Sequence, residues 1–100
     1  MRCSVSTNLN LREYFVKKVV VEYLELLGDH LPNRLAFDFN DSEVLVWAEI
    51  QNNQEELEKA LTLAEAKINA KFHPYGFDME SMIVEENDGL KVPNHYKIYK

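Results

Sequence analysis

The sequence predicts an α+β fold of the ferredoxin-like, split βαβ type. Two helices cover one face of an antiparallel sheet in the order β-α-β-β-α-β, and a C-terminal extension follows. Three observations predict it. Two long segments, Asn10 to Leu27 and Asn53 to Phe72, repeat apolar residues at helical spacing. Between them, Leu35 to Phe39 and Glu43 to Ile50 alternate around Asn40-Asp41-Ser42, which is turn chemistry, so they form a β-hairpin. Short strand-like segments flank this core, Arg2 to Thr7 at one end and Phe77 to Glu85 at the other.

Arg2 to Thr7 alternates weakly, with Cys3 and Val5 on one side, and is expected to be a short first strand. In the first helix Asn10 stands at the N-cap and Glu13 completes the capping-box spacing. Phe15, Val16, Val19, Val20, Tyr23, Leu26 and Leu27 share one broad face, Lys17, Lys18, Glu22 and Glu25 lie opposite, and Gly28 suits the C-terminus. In the hairpin, Leu35, Phe37 and Phe39 face the core together with Val44, Val46, Ala48 and Ile50. Asn53 and Glu56 repeat the capping-box spacing at the second helix. Its apolar stripe is Leu57, Ala60, Leu61, Ala64 and Ile68, with acids near the start and Lys67 and Lys71 near the end, as the helix dipole favours. His73-Pro74-Tyr75-Gly76 is a stop-and-turn sequence, and Asn87-Asp88-Gly89 is a second turn. Residues 1–92 read as a single domain, and 93–100 as an extension that forms an added edge strand or a tail.

Composition excludes several functions. The chain has 100 residues, 46% hydrophobic, so it can fill one core and is not disordered. Its net charge is −6, and its basic residues are scattered, which disfavours nucleic acid and anionic membranes as partners. One cysteine, Cys3, permits no intrachain disulfide and no cysteine-based zinc site, and suits a reducing compartment. Residues 1–6 lack the apolar stretch of a signal peptide, so the cytoplasm is the expected location. The most apolar segment, Tyr14 to Leu27, is too short and too charged to span a bilayer.

The expected layout leaves one sheet face bare. Glu43, Leu45, Trp47 and Glu49 point away from the helices, as do Met82 and Val84 of the later strand. Leu45, Trp47, Met82 and Val84 are therefore the candidate interface, an apolar centre rimmed by carboxylates. Burying Trp47 and Leu45 against a partner contributes on the order of 4–5 kcal/mol before association costs. Two alternatives compete: the C-terminal extension folds over this face, or these are scattered surface hydrophobes. Glu43, Glu49, Asp78 and Glu80 around Trp47 repel a polyanion, so base stacking on this face is disfavoured.

Chemistry is sparsely signalled. His30, His73 and His95 have no partner at metal-ligand spacing, and Gly28, Gly76 and Gly89 form no phosphate loop, so neither metal nor cofactor is implied. No nucleophile elbow surrounds any serine. Carboxylate pairs exist, but general acid–base work needs a carboxylate in an apolar site. His73 and Tyr75 could line a pocket mouth at the end of the second helix. Three functions follow in order. The first is a small acidic interaction or regulatory module that binds itself or a protein partner through the bare face. The second is a small-molecule sensor with its site at a dimer seam or near His73 and Tyr75. The third is a small acid–base enzyme.

Overall fold

The computed structural model describes residues 4–40 and 42–100, with side chains from residue 13 onward. The chain runs α1 (Ser4–Leu27), β1 (Arg34–Phe39), β2 (Glu43–Ile50), α2 (Glu55–Phe72), β3 (Asp78–Glu85) and β4 (Lys97–Ile98). The fold is α+β, with two helices and a four-stranded mixed sheet in the order β3-β2-β1-β4. Single 3-10 turns, His73–Tyr75 and Glu86–Asp88, precede and follow β3.

The order α-β-β-α-β-β corrects the expected one. Ser4 to Thr7 are helical rather than a first strand, while Arg2 and Cys3 lie outside the described residues. Weak alternation over a few residues did not compete with helix propagation, which adds one hydrogen bond per residue fixed once a strong helix has nucleated behind it. Asn10 consequently lies inside α1 rather than at its N-terminus. The missing strand changes the sheet as well. In the split βαβ layout a strand separates the two that flank the second helix. Here that place is empty, so β3 pairs directly with β2, in parallel, and the sheet is mixed rather than antiparallel.

The hairpin forms as its alternation requires, with Leu35 opposite Ala48 and Phe37 opposite Val46. The Asn40 side-chain carbonyl accepts from the N–H groups of Ser42 and Glu43, at 3.2 and 3.0 Å, and so builds the turn; Asp41 lies outside the described residues. The second predicted capping box does not form. Asn53 takes a left-handed conformation (φ 63°), its N–H donates to the Glu85 carboxylate at 3.1 Å, and α2 begins two residues later.

Both helices lie on one face. Tyr23 and Leu27 of α1 and Leu61, Ile68 and Phe72 of α2 bury against Leu35, Phe37, Val44, Val46 and Ile50. The helices run antiparallel, since Lys71 reaches Glu22 (2.6 Å) while Tyr75, after α2, stacks on Phe15 near the start of the described side chains. Burial pushes the Tyr23 hydroxyl up to about 12, with nearby Ser81 opposing in part; neither hydroxyl makes a hydrogen bond.

Candidate interaction surface

The register sets the residues of the helix-free face in rows across the sheet. Glu43 lies beside Asp78, and Asp38 beside Leu45 and then Glu80. Ile98, Ala36, Trp47 and Met82 form the next row, and Arg34, Glu49 and Val84 the last. Leu45, Trp47, Met82 and Val84 thus share one face.

That face is not bare, which corrects the first expectation; the alternative, cover by the C-terminal segment, is what the structure shows. The cause is topological. β3 is one edge of the sheet and β4 lies beyond β1 at the other, so the connecting chain must cross a face. The helices occupy one, and the segment from Gly89 to Tyr96 crosses the other. Val92 and Tyr96 pack on Ala36, Trp47 and Val84. The Tyr96 ring meets the Trp47 indole edge-on at 6.4 Å, and His95 Nδ1 lies 2.9 Å from Asp38 Oδ2. Burial raises the pKa of the Tyr96 hydroxyl, helped by the Asp38 and Glu80 carboxylates. Trp47 retains 4% of its surface, so it and Val84 are closed to a partner while this strap is seated. Leu45 is half-buried and Met82 remains 52% exposed. The open part of the face is therefore Met82 and Leu45 among Glu43, Asp78 and Glu80.

The edge beside Met82 is open over a short window. The Asn69 carboxamide accepts from the Met79 N–H (2.6 Å) and donates to the Met79 carbonyl (3.0 Å), closing the edge at that residue. The Glu85 N–H donates to Asp88 at 2.9 Å and closes the other end. Backbone groups alternate in direction along a strand, so those of Ser81 and Ile83 point outward like those of Met79. Between its two side-chain caps, β3 presents the main chain of Ser81 and Ile83, with Met82 projecting from the helix-free face.

His73 and Tyr75 stand elsewhere and do different things. His73 Nδ1 lies 2.7 Å from Asp78 Oδ1, and the Tyr75 ring stacks on Phe15, which also stacks on Phe77. This aromatic group closes one end of the helix-side core. Among the described residues, no group of three or more His, Cys, Asp or Glu side chains could hold a metal, and no helix is long and apolar enough to cross a membrane.

Sequence reasoning missed a groove between α1 and the β1–β4 edge. It holds about 600 Å³ and is lined by Val16, Val20, Val21 and Phe39, with Glu13, Lys17 and Lys97 at its margin. The valines were visible in the helical repeat. The groove was not, because it exists only once β4 is laid beside β1.

These features define a small α+β domain, two helices on one face of a mixed sheet whose other face is strapped by its own C-terminal segment. No protein-family model, curated protein or solved structure matches the chain.

Proposed function

We propose that this protein is a small acidic interaction module that takes an extended, basic segment of a protein partner along β3. One observation carries this reading: β3 is a long edge strand whose main chain is capped at Met79 and Glu85 and open between them, beside an exposed methionine. Adding a strand to such an edge gives affinity through main-chain hydrogen bonds and specificity through alternate side chains. Asp78, Glu80 and Glu43 surround the window, and the chain carries a net charge of −6, so a Lys- or Arg-bearing segment complements it. A second copy of this chain fits less well. Antiparallel self-pairing centred on Met82 sets Asp78 opposite Glu86 of the other copy, and the short window buries too little for a stable dimer. With its single cysteine, the protein suits the reducing cytoplasm as the setting for this role.

The test uses a fluorescent heptapeptide of alternating lysine and valine, titrated by anisotropy. A control peptide carries proline in place of each valine, which keeps the charge and removes strand geometry. Tighter binding of the first peptide, with amide shifts at Ser81 and Ile83 and loss of affinity in Glu80→Lys, supports the reading. Equal binding of the two peptides, or a wild type that pairs with itself through β3, overturns it.

A further inference from the structure

We propose that the groove beside α1 binds a free amphipathic carboxylate, an alkyl or aryl body ending in one carboxylate group. The site is at the opposite edge of the sheet from β3, so the inference is independent of the proposed partner. Its geometry follows from the register. Lys97 pairs with Phe37, so its side chain leaves the sheet on the helix face, the face shared by Phe39. Lys17 and Val21 stand one turn apart on the outer flank of α1, and Val16 and Val20 stand one turn apart deeper in the groove. The result is an apolar trough between a helix and a strand edge, with an ammonium group contributed from each wall.

Size and charge together select the occupant. A volume of about 600 Å³ lies within the usual range for small-molecule sites. Lys18 and Lys71 are both engaged with Glu22. Among the described residues, neither Lys17 nor Lys97 has a carboxylate partner. A chain with 17 acidic and 11 basic residues thus places two unpartnered ammonium groups at the margin of one apolar groove. An anionic head group satisfies both, and an apolar tail covers Val16, Val20 and Phe39. Glu13, which also lines the groove, opposes an anion and so disfavours a multiply charged head group. This attaches the small-molecule alternative to a different place from His73 and Tyr75.

The test is calorimetric titration of the full chain with dodecanoate, kept below its micelle concentration, with dodecanol as the neutral comparator. Dodecanoate is expected to bind saturably, one to one. The double variant Lys17→Gln/Lys97→Gln weakens it about tenfold, the size of one charge-assisted hydrogen bond, and leaves dodecanol unchanged. Glu13→Gln tightens dodecanoate binding, and Val21→Glu abolishes it; all four positions are exposed, so the fold survives. Four results overturn the proposal. Dodecanol binds as tightly as dodecanoate. The lysine variant binds dodecanoate unchanged. The protein binds phosphatidylglycerol vesicles but not monomeric dodecanoate. The unliganded protein is a dimer that Val21→Glu dissociates, which gives the groove to a second copy.

Discussion

Tyr96→Ala should release the strap from the sheet without unfolding the domain. Tyr96 is half-buried, and its ring meets Trp47 at 6.4 Å with an interplanar angle of 66°. An aromatic side chain buries about 150–250 Å², so half of that area, at about 25 cal/mol/Å², represents about 2–3 kcal/mol. The edge-to-face contact adds about 0.5–1.5 kcal/mol. Against this, ordering the eight residues from Gly89 to Tyr96 costs on the order of 1–2 kcal/mol of backbone entropy each. Val92, the His95–Asp38 pair and the two-residue β4 also hold the strap, and beyond it the Leu35 main chain bonds Tyr99 and Lys100 while the Tyr99 ring meets Phe37; the crossing residues 89–96 themselves are seated by a narrow margin. Losing about 3 kcal/mol exceeds that margin locally, while the larger core beneath the helices is untouched. Trp47 is the single tryptophan, so fluorescence reports this event alone. The variant should emit at longer wavelength and become accessible to acrylamide, with an unchanged far-ultraviolet circular dichroism spectrum. Unchanged emission and quenching, combined with a urea midpoint lowered by the full cost, would refute the reasoning. The strap would then belong to one cooperative core.

Three further outcomes follow from the interior. Tyr23 holds its proton more tightly folded than unfolded, so its contribution is fully present below pH 10 and lost as pH rises toward 12, amounting to about 2–3 kcal/mol. Urea titrations in that window should show Tyr23→Phe keeping stability that the wild type loses, at no cost near pH 7, because the buried hydroxyl has no hydrogen-bond partner there. Glu22 is held below its ordinary carboxylate range, first by the Lys71 ammonium at 2.6 Å and then by Lys18, with burial opposing. Its contribution is present above the unfolded value and lost as pH falls through the folded one. Glu22→Gln should therefore cost about 0.5–1 kcal/mol at neutral pH, a difference from wild type that closes in acid. Leu61 is fully buried between α2 and the sheet, and Leu61→Ala should lower stability by about 2–5 kcal/mol in chemical denaturation.

How much was legible in the sequence differs from element to element for physical reasons. The hairpin was read nearly residue by residue, because one-face burial imposes a period of two and Asn40 supplies its own turn. The stripe of α2 was read equally well, but its start was not. Asn53 has the composition of a cap, yet its backbone is committed to Glu85, a residue 32 positions away. The first strand failed because a local pattern of a few residues says nothing about a helix advancing from behind it. Leu45, Trp47, Met82 and Val84 were assigned to one face correctly, while cover by the C-terminal extension was only one of the alternatives left open for that face. Side-chain alternation fixes which way a residue points; coverage depends on where a later segment must travel. Given the strand order β3-β2-β1-β4, the segment joining its two edges crosses the face the helices leave open, but the expected order, with a first strand inside the sheet, did not contain that crossing.

The strap also joins the two candidate surfaces, and this has a measurable consequence. It leaves the sheet at the end of β3 and finishes as β4, whose Lys97 forms one margin of the groove beside α1. Lys97 is placed by β4, which directly follows the strap, so a carboxylate held between Lys17 and Lys97 favours the seated form. By linkage, a ligand that prefers one form shifts the population toward it, and loss of that form weakens the ligand by the same factor. Tyr96→Ala, remote from the groove on the opposite sheet face, should therefore weaken dodecanoate, and saturating dodecanoate should return Trp47 emission in that variant toward the wild-type wavelength. Dodecanoate that binds Tyr96→Ala with full affinity, leaving the emission shifted, would separate the two: the groove would then be built by α1 and β1 alone, and Lys97 would be a bystander at its margin.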